Sequence, residues 1–253
     1  MFKIRGIDMK YELSSKNYYE VTWFDDQKRD LVLVLPGGAY KYASDREGQV
    51  VADTFSDQGY HQAVYYYRET CHIYPDIHLE AKSLLSNLKN HPKVDRIFVI
   101  GFSAGGHFAA MIATHYYDLI DKVILCYPVI TANPRYAHMD SLKNLLGSDV
   151  NTDKLEEVSI EKHIHPLFPP TFIMHSMTDQ SVVVENSLLL IEALKANAVY
   201  VESHLYPTGR HALSVVTKEV CYPDMTEIEF LDAYGYIHDW VRLAKAFLKR
   251  GIK

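Results

Sequence analysis

The sequence predicts an α/β fold, a mainly parallel central sheet with helices on both faces, and three observations predict it. Short apolar runs alternate along the chain with segments of helical spacing, the rhythm of strand–helix–strand crossovers. Several runs are continuous, as at Leu31-Val32-Leu33-Val34-Leu35, which marks strands buried on both faces. The chemically unusual residues fall just after these runs, at the carboxyl ends of the strands, where open parallel sheets collect ligands.

Taken in order, residues 2–13 and 18–23 alternate well enough for two antiparallel edge strands. Residues 31–35 give the first buried strand, ending in Pro36-Gly37-Gly38-Ala39-Tyr40. Val50, Val51, Ala52 and Phe55 give residues 46–58 helical spacing, with Gly59 as the stop. Residues 61–68 are the next strand and 76–91 the next helix. Residues 96–100 are a strand, 103–116 a helix and 122–127 a further buried strand. Residues 129–170 break the rhythm: polar, with Pro134, Pro166, Pro169 and Pro170, and with short helical pieces near 141–146 and 152–157. They read as a cap-like insertion lying over the sheet within a single domain spanning 1–253. Residues 171–175 resume the sheet, 184–197 are helical and 199–205 form the last strand. A polar loop follows His211, and one amphipathic helix over 228–249 closes the chain.

Composition narrows the function. A net charge of −6 with scattered Lys and Arg argues against a nucleic-acid partner. Cys71, Cys126 and Cys221 are widely spaced and odd in number, a reduced rather than disulfide-bonded pattern. No stretch approaches the ~18 apolar residues of a membrane span, and charges interrupt the first eight residues where a signal peptide would be apolar. The expected location is the cytoplasm.

The sharpest signal is Gly101-Phe102-Ser103-Ala104-Gly105-Gly106-His107, a Gly-x-Ser-x-Gly turn between the apolar run 97–100 and the alanine-rich segment 108–113. Strand, tight serine turn and helix form a nucleophile elbow: the turn strains the serine backbone, and flanking glycines let strand and helix approach. A serine hydroxyl needs a base, and the base a carboxylate, in the chain order Ser, Asp or Glu, His. Asp179 follows the strand at 171–175, and His211 follows the last strand and a glycine turn. Taken alone, Asp179 is also what a helix-capping aspartate looks like, and His211 is one of 13 histidines. Together with Ser103 they complete the order. Among competitors, His107 packs behind the serine, His175 has a buried hydrogen-bonding role, Asp153 and Glu185 read as caps or surface charges, and His163 and His165 lack further ligands at metal spacing. The backbone N–H of Ala104 and an N–H from the Gly37-Gly38 loop are the oxyanion donors this chemistry requires.

These motifs resemble the α/β-hydrolase superfamily and, within it, the esterase/lipase group of acetylxylan and other carbohydrate esterases. The resemblance runs over nearly the whole chain, through Leu35-Pro36-Gly37-Gly38-Ala39-Tyr40, the serine turn, Tyr127-Pro128-Val129-Ile130, Asn144-Leu145-Leu146-Gly147, Pro169-Pro170-Thr171-Phe172 and Val184-Glu185-Asn186-Ser187. It implies Ser103 as nucleophile, Asp179 as acid and His211 as base, with Gly38, Ala39 and Ala104 lining the oxyanion hole. Related hormone-sensitive-lipase-like esterases carry His where this chain has Pro36.

The expected activity is hydrolysis of small acyl esters, with acetyl or short-chain esters of sugars as the expected substrates, through an acyl-enzyme. The chemistry asks for no metal or cofactor, and the partner is a small-molecule ester. Tyr40 and residues 129–170 are the candidate substrate walls. The 19 tyrosines could supply sugar-stacking faces or a homodimer surface. Two alternatives stay open: an amidase, formamidase or peptidase on the same triad, and a non-catalytic binding protein that keeps the fold.

Overall fold

Eight strands form one sheet: β1 (Met9–Glu12), β2 (Tyr18–Thr22), β3 (Arg29–Leu35), β4 (His61–Tyr66), β5 (Val94–Phe102), β6 (Lys122–Cys126), β7 (Thr171–Ser176) and β8 (Val201–Tyr206). The computed structural model describes residues 9–13, 15–67, 73–148 and 150–252. Across the sheet the order is β1-β2-β4-β3-β5-β6-β7-β8. β2 pairs antiparallel with both β1 and β4, and every other neighbouring pair is parallel. The antiparallel pair thus lies at an edge, as its alternating pattern predicts. Expected strand residues 2–8, the strand end at Arg68, and Cys71 fall outside the described residues.

The continuous apolar runs feed two cores, because successive side chains on a strand point to opposite faces. Leu31, Leu33, Leu35, Ile97 and Val99 face one core, with α2 (Asp76–Lys89), α3 (Ala104–His115) and α6 (Glu185–Ala196). Val32, Val34, Phe98, Ile100 and Phe102 face the other, with α1 (Gln49–Thr54), α7 (Glu227–Tyr234) and α8 (Asp239–Lys249). α8 shows why its pattern is helical: Trp240, Val241, Ala244, Phe247 and Leu248, one stripe at helical spacing, are all buried. The valine, phenylalanine and leucine of this stripe each contribute ~1.5–3 kcal/mol of burial. Among the described residues, no helix is long and apolar enough to cross a membrane.

Segment 129–170 carries α4 (Met139–Leu146) and α5 (Thr152–Glu157), close to the helical pieces expected. It is less peripheral than its polar composition suggests, since Leu142, Leu145 and Val158 are fully buried in the first core. Three other expectations are corrected. The helix expected over 46–58 is α1 flanked by two short 3-10 turns, with a non-helical backbone at Gly48; the site explains this below. The closing helix over 228–249 is two helices joined by a 3-10 turn (Gly235–His238), in which Ile237 turns into the core. The polar loop after His211 also feeds the core: Leu213, Val215, Val216 and Val220 are buried, while Lys218 and Glu219 are exposed.

Candidate active site

β5 ends at Phe102, and Ser103 sits at φ 53°, ψ −119° before α3 begins. A positive φ is strained for any residue with a Cβ and persists only where the surroundings dictate it. Here they do: the Ser103 N–H donates to the Cys126 carbonyl (3.0 Å), and its own carbonyl accepts from His107 and Val129 (3.1 Å each). Gly105 lets α3 lie against β3, because a Cβ there would stand 2.2 Å from the Leu35 carbonyl oxygen and 2.4 Å from that of Pro36. The first amides of α3, with the positive end of the helix dipole, are left facing the serine.

The Ser103 hydroxyl donates to His211 Nε2 at 2.8 Å, and His211 Nδ1–H donates to Asp179 Oδ2 at 2.7 Å. The carboxylate can only accept, which fixes the tautomer and leaves Nε2 free to take a proton. Asp179 is buried, and its second oxygen accepts from the amides of Ser181 (2.9 Å) and Val182 (3.1 Å). Burial pushes this carboxyl upward, but the hydrogen bonds and charges of His175 and His211 outweigh it and hold it well below the usual carboxylate range. Asp179 is therefore charged at neutral pH.

On the other side of Ser103, the loop after β3 carries Gly38 at φ 123°, Ala39 at φ 53° and Tyr40 at φ 56°. Gly38 tolerates no side chain, since a Cβ would meet the Tyr42 carbonyl oxygen at 2.1 Å. Asn144 of α4 fastens the loop from above, its Nδ2 donating to the Ala39 carbonyl at 2.8 Å. Among the described residues the amides of Gly38, Ala39 and Ala104 have no acceptor in the protein. Tyr40 is not a substrate wall. Its ring is fully buried against Tyr67, His107 and Phe108, and its hydroxyl donates to His107 Nδ1 at 2.7 Å. The left-handed backbone turns this side chain beneath the loop.

Residues that the sequence reading missed stand behind the site. Glu47 is buried, with Oε2 accepting from the Gly37 amide (2.8 Å) and Oε1 from the Tyr127 hydroxyl (2.7 Å). Drawing this side chain inward is what separates its 3-10 turn from α1. The Tyr127 ring stands edge-on to His211, 5.0 Å between centroids, and its hydroxyl accepts the Ser214 amide at 2.9 Å. Burial raises both the Glu47 carboxyl and the Tyr127 phenol. Ser214 is held further by its hydroxyl on the Arg46 carbonyl (2.6 Å) and by Trp240 Nε1–H on its own carbonyl (3.0 Å). The only sequence signal for Glu47 was an acidic residue beside an apolar helical stripe, which a surface helix also shows. Beyond His211 opens a cavity of about 680 Å³, lined by Arg46, Thr178, Gln180, Arg210 and Tyr222 among others.

The histidines weighed against His211 in the sequence take structural partners. His107 Nε2 donates to the Val158 carbonyl (2.8 Å), and burial lowers its imidazole to about 4. His175 donates to the Val182 carbonyl and accepts from the Ser187 hydroxyl, both at 2.8 Å, and lies 3.5 Å from Asp179. His163 and His165 each bond a backbone carbonyl, of Glu156 and Thr114 respectively.

The chain is similar to several known proteins. The sequence pattern of the prolyl oligopeptidase family matches residues 53–236. Over 217 residues the chain is 33% identical to endo-1,4-beta-xylanase B of Butyrivibrio fibrisolvens, covering 77% of this chain and 34% of that protein. Over 199 residues it is 28% identical to an acetylxylan esterase of Xylanibacter ruminicola, covering 74% of this chain and 41% of the relative. The chain thus spans well under half the length of these curated relatives. Among solved structures, an acetyl ester-xyloside bifunctional hydrolase from Caldicellulosiruptor lactoaceticus superposes with a TM-score of 0.80 at 28% identity, over 98% of this chain and 93% of that one. The architecture is the α/β-hydrolase fold.

Proposed function

The chain belongs to the prolyl oligopeptidase family, and from that premise we propose that it is a serine carboxylic-ester hydrolase cleaving acetyl or short-chain esters of sugars through an acyl-enzyme. The observation that carries this reading is the unbroken relay from the Ser103 hydroxyl through His211 to Asp179, at 2.8 and 2.7 Å.

Ser103 Oγ attacks the ester carbonyl carbon while its proton passes to His211 Nε2. Negative charge then develops on the carbonyl oxygen, within reach of the unpartnered amides of Gly38, Ala39 and Ala104. Each such donor is worth about 2.7–4 kcal/mol in the transition state. The ionised Asp179 stabilises the imidazolium. Collapse breaks the bond to the alcohol, which takes the proton from His211. Water, deprotonated by the same nitrogen, then attacks the acyl-enzyme and releases the acid, restoring Ser103. The alcohol must leave beside His211, and the cavity there offers the guanidinium, amide and hydroxyl groups of Arg46, Arg210, Gln180 and Thr178 to a polyhydroxylated group. The acetylxylan and acetyl-xyloside chemistry named for relatives supports a sugar as that alcohol. We read the chain as one hydrolase domain, with segment 129–170 as a cap beside the oxyanion loop. With Cys126 and Cys221 both unpaired, we place the reaction in the cytoplasm.

Ser103→Ala is expected to reduce p-nitrophenyl acetate hydrolysis by at least ~10⁴-fold and to abolish labelling by a fluorophosphonate probe. Hydrolysis that survives the substitution overturns the proposal. The family match favours a second reading, cleavage of an amide or peptide bond by the same relay. It differs in needing His211 to protonate an amine. Comparing kcat/KM on acetylated xylo-oligosaccharides with that on aminoacyl and formyl-kynurenine substrates decides between them.

A further inference from the structure

We propose that Glu47 is a positioning residue for this chemistry: one buried carboxyl sets the spacing between the loop that carries the oxyanion donors and the loop that carries the base. The inference rests on the esterase reading above and adds to it a residue outside the Ser103–His211–Asp179 relay.

Both oxygens of Glu47 are committed, in opposite directions. Oε2 takes the Gly37 amide at 2.8 Å, immediately before the Gly38 and Ala39 amides. Oε1 takes the Tyr127 hydroxyl at 2.7 Å. Tyr127 passes the constraint on twice, through its ring, which packs edge-on to His211 at 5.0 Å, and through its hydroxyl oxygen, which accepts the Ser214 amide at 2.9 Å. Ser214 lies three residues beyond His211 on a backbone that needs holding: Ala212, Ser214 and Val216 all have positive φ, at 62°, 52° and 51°. Tyr127 is itself at φ 38°. Strained backbone of this kind keeps its shape only where surrounding contacts over-determine it, and Glu47 stands where the contacts from both loops meet.

The site chemistry gives this arrangement its value. Oxyanion donors must lie 2.7–3.1 Å from a charge that exists only in the transition state, and the base must meet the serine proton at the same moment. An error of about 1 Å between the two loops can lower the rate ~10²-fold without weakening substrate binding in proportion. A carboxylate suits the place better than an amide. Gly37 and Tyr127 both donate, and only a carboxylate accepts on both oxygens, whereas glutamine turns a donor toward one of them.

The test compares Glu47→Gln, Glu47→Leu and Tyr127→Phe with the unaltered enzyme, on p-nitrophenyl acetate, with thermal melting recorded for each. For Glu47→Gln and Tyr127→Phe, kcat is expected to fall roughly 10-fold with KM changed less than about threefold, and for Glu47→Leu roughly 10²-fold, so that glutamine rescues part of the loss. The rate of fluorophosphonate labelling falls in parallel. Because both residues act along one chain of contacts, Glu47→Gln combined with Tyr127→Phe is expected to lose less than the product of the single losses. If Glu47→Leu does not fold, the two volume-conserving variants decide. Folded Glu47→Gln and Tyr127→Phe proteins with kcat within twofold of the unaltered enzyme overturn the proposal, as does a lowered melting temperature with unchanged kcat. Retained activity in Ser103→Ala would instead sink the esterase reading, so the two failures are distinguishable.

Discussion

The two ends of the proposed proton relay are built in different ways. Ser103 stands in the middle of the sheet, in a turn made by Phe102 closing β5, the first turn of α3 and glycines on either side, and main-chain bonds to Cys126 and Val129 hold it there. His211 stands on a loop near the end of the chain, and distant residues hold it, with Ser214 tied to Arg46 and Tyr127 and Trp240 reaching up from α8. Ser103 is fixed by steric limits and main-chain bonds within the buried sheet. The loop of His211 is fixed by a web of side-chain hydrogen bonds. The first should fail all at once when crowded, and the second should loosen strand by strand.

The largest expected effect breaks the link between the two regions. Asp179→Asn would place an amide where Nδ1–H now donates, favouring the wrong tautomer, and kcat on p-nitrophenyl acetate should fall ~10⁴-fold with KM little changed. A loss below tenfold would mean that Asp179 does not set the tautomer.

Next, Gly105→Val tests the all-or-none character of the elbow. Even a Cβ would stand 2.2 Å from the Leu35 carbonyl, and the obstacle is main chain rather than a flexible side-chain end. A loss of ~4 kcal/mol or more, or no soluble protein, is expected in denaturant unfolding.

The regions should also separate by pH. Burial holds His107, in the elbow helix, neutral down to about 4, whereas an unfolded histidine binds its proton near 6.5. Between those values the unfolded chain carries more protons, so stability is full above 6.5 and declines as pH falls toward 4, by about 3 kcal/mol at the lower end. His78, lowered to about 4 by burial, adds to the same window. His61, His91 and His138, also lowered by burial, act with the same sign, so His107→Asn should reduce this slope without abolishing it, in unfolding midpoints measured against pH. Asp179 acts in a different range. Its folded carboxyl titrates below the ordinary 3.8, so its contribution is complete above that value and is lost only as pH falls beneath it.

The smallest effect probes the base loop alone. Trp240→Phe keeps most of the buried ring but removes the bond to the Ser214 carbonyl, and should cost about 1 kcal/mol in unfolding. A kcat reduced severalfold at unchanged KM would accompany it if the loop loosens as the comparison holds.

How much of this was legible in the chain follows the same division. The run Ile97-Phe98-Val99-Ile100 and the glycines around Ser103 announced strand, turn and helix, because each signal lies within a few residues of its consequence. Tyr40 was misread as a substrate wall because two consecutive left-handed residues reverse its side chain, and neither is glycine. The segment 213–220 read as a polar loop because its polar residues mask one buried leucine and three buried valines. The break at Gly48 and the inward turn of Glu47 had no local cause to read.

By itself, then, the sequence determined the alternation of strands and helices, the two-sided core and the strained serine, since steric limits and hydrophobic periodicity operate over short stretches of chain. Only the tertiary structure decided which side chains meet across the top of the sheet. Glu47 and Tyr127 are 80 residues apart, and Arg46 and Ser214 168. Whether such pairs touch depends on strand order and register, which bring together residues that no local pattern connects.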